Sequence, residues 1–379
     1  MNYFKGLKSV CLLTGFLILG IILIGCANEA GSVQQESTME SNETGSKDSE
    51  ADTFIFTDSA DREVELPKDI TKIAPSGSLA QIVLYTVAPD KLIGWASPPA
   101  DSVTKYYNDK YLDLPAFGSY FGDTFNLEAL IKAGPDVIID VGEAKGSMKE
   151  DMDEIQETTG IPTIFIEAGL ESLPDAYRTL GDILNEEVQA KALADYSEET
   201  LEDAKEISES IPDNERVSLY FGMYESGLNT NGKGSFHSEI VEFVGVENVA
   251  VLDSAASKGG GNEVTMEQLL LWDPEIIIFT ADSVYEPVTE GDELWKDLEA
   301  VQNDKLYEIP DEPYNWLSFP PSVNRILGVK WLGNLAYPDL YDYDMVQETQ
   351  NFYNLFYHYD LSDQEAEALL ERSILKVQP

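Results

Sequence analysis

Cysteine, histidine and basic residues are the scarce materials of this 379-residue chain. Its two cysteines, Cys11 and Cys26, both precede residue 27, so the body of the protein can form no internal disulfide. The same shortage excludes thiolate zinc sites and iron-sulfur clusters, and with only His237 and His358 a multi-histidine metal centre is excluded too. No cofactor is implied, and a metal held by the protein alone would need carboxylates. Lysine and arginine total 24 against 70 aspartates and glutamates, a formal charge of -46. Such a surface repels phosphate, which argues against nucleic-acid binding and against adsorption to anionic lipid. Yet 43% of the residues are hydrophobic, far too many for a disordered acidic tract. The length suits two ordinary domains or one large bilobed unit.

What is present begins with an address. Lys5 and Lys8 precede an apolar run from Val10 to Ile24, the layout of a secretory leader and short for a membrane-spanning helix. Leu23-Ile24-Gly25-Cys26 looks like a bacterial lipobox, which predicts a leader over 1–25 and lipidation at Cys26. An uncleaved anchor would give the same topology: an extracytoplasmic protein held at the cell membrane through its N-terminus. Residues 26–52 are rich in Ser, Glu, Asn and Gly and cannot bury enough surface to fold, so they read as a flexible acidic tether. A leash of this kind lets a globular body reach a partner in the same membrane.

From Thr53 the pattern alternates between strands and helices. Val137-Ile138-Ile139 and Ile164-Phe165-Ile166 read as buried parallel strands, and a helix is expected after Ser76-Gly77-Ser78. The second half repeats the order of the first. Met266-Glu267-Gln268-Leu269 through Asp273-Pro274-Glu275-Ile276-Ile277 mirrors Leu127-Glu128-Ala129-Leu130 through Pro135-Asp136-Val137-Ile138. Between the halves, residues 173–212 carry an apolar stripe with no Gly after Gly181 and no Pro after Pro174 until Pro212, which predicts one long joining helix. The resulting division is an N-terminal lobe over 53–172, the interlobe helix over 173–212, and a C-terminal lobe with its terminal helices over 213–379. A cleft between two α/β lobes is where strand ends and helix starts converge on a ligand.

With these pieces in order, residues 53 to about 338 resemble the iron-complex and vitamin B12 class of ABC-transporter substrate-binding proteins, the class III periplasmic-binding type. The resemblance rests on Thr57-Asp58-Ser59 to Leu66-Pro67, on the two mirrored Glu128 and Glu267 segments, on Gly245-Val246-Glu247-Asn248-Val249-Ala250, and on Trp295-Lys296-Asp297-Leu298 leading to Leu306-Tyr307-Glu308-Ile309-Pro310. It implies an α/β fold of two Rossmann-like lobes joined by one long rigid helix. It further implies a monomer that catalyses nothing, takes a metal chelate as its small-molecule ligand, and delivers it to a membrane permease dimer with a cytoplasmic ATPase. Glu128 and Glu267 then correspond to lobe-tip carboxylates that pair with arginines on the two permease subunits, although an acid in the first turn of a helix is also favoured by the helix dipole alone.

Four segments are expected at the cleft. Ser76 and Ser78 would hold an anion or simply cap a helix. Tyr120 would meet an organic chelator or pack in the core, with core packing the stronger expectation for Phe121. The loop Asn229 to Ser238, with Gly227, nearly spells a phosphate loop, but Gly234 stands where magnesium binding needs Ser or Thr. Lys233 there would meet an anionic ligand, and His237 would touch a metal or chelate or else face solvent. In Trp316-Leu317-Ser318-Phe319-Pro320-Pro321-Ser322-Val323-Asn324-Arg325, Trp316 and Arg325 are the remaining candidates. A cation at a helix start calls for a nearby anion, either ligand or carboxylate. The cargo stays open among ferric siderophores, cobalamin, nickel or cobalt chelates and molybdate.

Two other classes compete. An extracellular hydrolase would use a carboxylate pair such as Asp140 with Glu143 or Asp311 with Glu312, but adjacent acids are expected by chance here and no Gly-x-Ser-x-Gly elbow occurs. An adhesin lipoprotein would leave the repeat of the two halves unexplained.

Overall fold

The computed structural model describes residues 52–122, 124–252 and 260–375. The leader, Cys26 and the tether through residue 51 lie outside the described residues. Among those described, no helix is long and apolar enough to cross a membrane.

The first lobe opens with an antiparallel hairpin, Thr53–Thr57 against Glu63–Pro67, whose second strand alternates exposed and buried side chains with the period of two that a half-buried strand requires. Arg62 closes it, donating to Asp58 at 2.9 Å and to Asp153 at 2.8 Å. A parallel sheet follows, in the order Ile73–Pro75, Val137–Gly142, Thr163–Glu167. Its central strand is buried at every position, which is why it reads as an unbroken aliphatic run rather than an alternating one. The second lobe carries a four-stranded parallel sheet in the order Leu306–Glu308, Ile276–Phe279, Ser218–Gly222, Glu247–Asn248.

The joint corrects the sequence reading. In place of one helix over 173–212 there are two packed helices, Leu173–Leu184 and the 24-residue Glu187–Ser210. The chain turns at Asn185, whose backbone is left-handed (φ 53). Asn tolerates that conformation as few other residues do, so the stop was encoded without Gly or Pro. Gly181 permits the close approach: a Cβ there would stand 2.5 Å from that of Ala190. The longer helix spans about 36 Å at 1.5 Å per residue, enough to run between the lobes.

The C-terminal segment is also placed differently from expectation. Helix Met345–Tyr357 does not pack on the second lobe alone but lies across both. Its Tyr357 hydroxyl donates to Asn324 of the second lobe, while Tyr353 and Tyr357 meet Tyr106 and Tyr107 of the first at ring-centroid distances of 5.2 and 6.2 Å. Gln189 of the joint donates to Leu355 O at 3.0 Å. Beside it, Lys105 pairs with Glu312 at 3.0 Å and the Tyr107 and Tyr314 hydroxyls bond at 3.0 Å, again lobe to lobe. The lobes are thus tied by the joining helices and by this aromatic clasp, which packs on them through Tyr196 against Phe352 and Phe356.

Candidate functional site

A cavity of about 460 Å³ opens between the lobes. The first lobe contributes the start of helix Ser78–Val87, the Ser119–Gly122 loop and the segment Asp140–Lys145 that leaves the central strand; the second contributes Phe236, His237 and Pro321. This is the carboxyl end of the first lobe's parallel sheet, where side chains from successive loops converge.

His237 is held from two sides. Its Nδ1 lies 2.6 Å from the Ser318 hydroxyl, and its ring stacks on Phe319 with centroids 5.4 Å apart. The Ser318 bond occupies Nδ1. Burial, and then the nearby Arg325 charge, hold the imidazole below its ordinary pKa, so it is uncharged at neutral pH.

On the opposite wall Asp140 is buried, 6% exposed, and accepts a hydrogen bond from the Ser76 hydroxyl. Desolvation raises its pKa, partly offset by Ser76 and by the charge of Lys145. Ser76 therefore serves the protein's own carboxylate rather than an incoming anion. Ser78 lines the cavity and is exposed. Gly77, which precedes the helix, makes no side-chain cap, and it lines the cavity together with Ser78, Leu79 and Ala80 of the first turn.

Several expectations are corrected here. Trp316 does not line the cleft; it is wholly buried, edge-on to Trp331 at 6.5 Å. Arg325 is buried, pairs with Glu239 and lies 4.9 Å from the Phe236 ring centroid; it is absent from the lining of this cavity and lines instead a small adjoining pocket that shares Leu79 and Pro321 with it. The anion its position at a helix start demanded is thus a carboxylate of this chain. Lys233 is exposed and outside the cavity lining. Tyr120 turns away and donates to Glu154 at 2.9 Å, while Phe121, 41% exposed, faces the cavity with the Lys145 ammonium 3.6 Å from its ring centroid. The two aromatics have exchanged the roles expected of them. Asp140, Glu143 and Lys145 were missed as lining residues, although their place directly after a buried parallel strand was the available signal.

Asp140 and Glu143 share this wall, but among the described residues no three His, Cys, Asp or Glu side chains gather to hold a metal ion. Away from the cleft, the mirrored helices match in detail. Leu127–Ala133 is capped by Asn126, which accepts from Ala129 N at 3.0 Å, and ends at left-handed Gly134 (φ 62). Met266–Trp272 is capped by Thr265, which accepts from Gln268 N at 3.2 Å, and ends at left-handed Asp273 (φ 43). Glu128 and Glu267 are each the exposed second residue of their helix.

Comparison with known proteins accords with this geometry. Residues 85–313 match the family described as periplasmic binding protein. An ABC transporter solute-binding protein from Sulfurospirillum deleyianum is 32% identical, with a TM-score of 0.77 over 84% of this chain and 99% of that one. A periplasmic solute-binding protein from Veillonella parvula is 28% identical, with a TM-score of 0.70 over 85% and 98%. The molybdate-binding protein MolA of Haemophilus influenzae shares the fold at 19% identity, with a TM-score of 0.60 over 82% and 99%. Among curated proteins no sequence matches. The two lobes, the parallel sheets and these likenesses together establish that the chain belongs to the class III periplasmic binding proteins, the solute-binding components of ABC transporters.

Proposed function

We propose that this chain captures a metal complex outside the cytoplasm and hands it to the permease dimer of an ABC importer, with a ferric siderophore or other iron complex as the first candidate cargo. The observation that carries the reading is the cavity of about 460 Å³ walled by both lobes, lined by the uncharged His237 from one and by a helix start and two carboxylates from the other. Because no three metal-ligating side chains gather among the described residues, a metal would arrive with most of its ligands already in place. That favours a chelate over a bare ion. Cobalamin, nickel or cobalt chelates and molybdate are the alternatives. Proteins of this fold include MolA with molybdate, CeuE of Helicobacter pylori with nickel and histidine, and the catecholate-siderophore binding protein VctP of Vibrio cholerae.

In this reading Cys26 carries the lipid anchor, the chain works as a monomer, and it catalyses nothing. Glu128 and Glu267, one per lobe, meet positive residues on the two permease subunits. The joining helices and the aromatic clasp packed on them keep lobe closure small, so affinity comes from a largely preformed site.

Calorimetric titration of the full chain against ferric hydroxamate and catecholate siderophores, cobalamin, nickel-histidine and molybdate tests the cargo class. Sub-micromolar binding of one member is expected. Silence across the panel from folded protein would remove metal-complex capture.

A further inference from the structure

The charges around the cavity narrow the cargo further, on the reading that the cavity is the cargo site. Its lining holds two carboxylates, Asp140 and Glu143, and one cation, Lys145. The uncapped start of helix Ser78–Val87 adds about half a positive charge. If Asp140 is counted as neutral, Glu143 still balances Lys145, and only that half charge is left over. Lys145 already rests on the Phe121 ring. The other cations that an anionic cargo would call on are outside the lining or uncharged: Arg325 pairs with Glu239, neither it nor Lys233 lines the cavity, and His237 is uncharged. Ser76 gives its hydroxyl hydrogen to Asp140.

Around all this stands a chain of formal charge -46, whose field gathers cations at the cleft mouth and repels anions until salt screens it beyond about 8 Å. A ferric tris-catecholate carries three negative charges, since six phenolates outweigh one iron(III), and molybdate carries two. Neither meets more than that half charge here. A ferric tris-hydroxamate is neutral, and with a pendant ammonium it is singly positive. We infer that the cleft selects a metal complex of zero or positive net charge and rejects polyanionic chelates.

A charge series at constant metal tests this. The full chain is titrated calorimetrically with a ferric tris-hydroxamate bearing an ammonium, one without it, and a ferric tris-catecholate, each at low and at moderate sodium chloride. The two hydroxamates should bind at least about 100-fold more tightly than the catecholate, and added salt should weaken only the cationic complex. Glu143 is exposed, so Glu143→Gln should fold normally. It should weaken the cationic complex roughly threefold to tenfold and leave the neutral one unchanged. Catecholate binding as tight as that of the hydroxamates would overturn the charge selection while leaving metal-complex capture in place. Silence from all three, together with silence from the wider panel, would overturn both.

Discussion

Reversing the charge at both lobe tips, Glu128→Lys with Glu267→Lys, should reduce uptake of the cargo to background while leaving its affinity within about twofold. Both carboxylates are exposed, and each opens a short helix that is capped and terminated in the same way on its own lobe. Neither takes part in a salt bridge among the described residues, so reversal breaks no such pair within the protein. The cost to the fold is limited to an unfavourable cation at each helix start, about 0.3–1 kcal/mol apiece. What changes is the match to a partner. Two equivalent acids on two pseudo-equivalent lobes suit two positive sites related by a two-fold axis, and like charges placed opposite one another cost several kcal/mol at an interface. Uptake of radiolabelled metal by cells, read beside calorimetry on the purified variant, separates docking from capture. Unchanged uptake would contradict the docking role, and lost affinity would place these residues in the wrong part of the molecule.

Trp316→Ala should lower stability by about 3–5 kcal/mol, the range for removing a fully buried large aromatic. The indole is 0% exposed, edge-on to Trp331, and its backbone is packed against the following helix so tightly that a Cβ on Gly328 would stand 2.0 Å from Trp316 O. The ring packs in the core beside Trp331 of helix Asn324–Ala336, so its removal leaves a cavity there. Denaturant unfolding measures the loss, and Trp316→Phe should recover more than half of it. A variant of normal stability but weak cargo binding would return Trp316 to the cleft and contradict its placement in the core.

Trp316 also marks where sequence reasoning reaches its limit. The stretch from Trp316 to Arg325 was legible as special because its prolines and its cation at a helix start are unusual, but nothing in the order of residues tells which side of a loop faces a cleft. Arg325 called for an anion, and the rule was right. Its partner, Glu239, lies 86 positions earlier in the chain, and only the tertiary fold brings the two together. The elements themselves were more readable. Six consecutive buried residues at Val137–Gly142 announce a parallel strand, and the repeat around Glu128 and Glu267 announces two like lobes, because burial on both faces and helix capping are local requirements. Asn185 shows the opposite case: a single residue that tolerates a left-handed backbone turned one expected helix into two. Tyr120 and Phe121 are adjacent, so whichever faces inward, the other does not, and hydropathy alone favoured the wrong one. The tyrosine instead reaches Glu154, a long-range hydrogen bond invisible to periodicity.

Anomalous diffraction from crystals of the full chain, grown with the tightest ligand of the panel, bears most directly on capture between the lobes. The predicted result is a metal peak inside the cavity, between the start of helix Ser78–Val87 and Asp140 on one side and His237 on the other. A metal bound at the outer surface of either lobe, with the interlobe cavity empty, would contradict it.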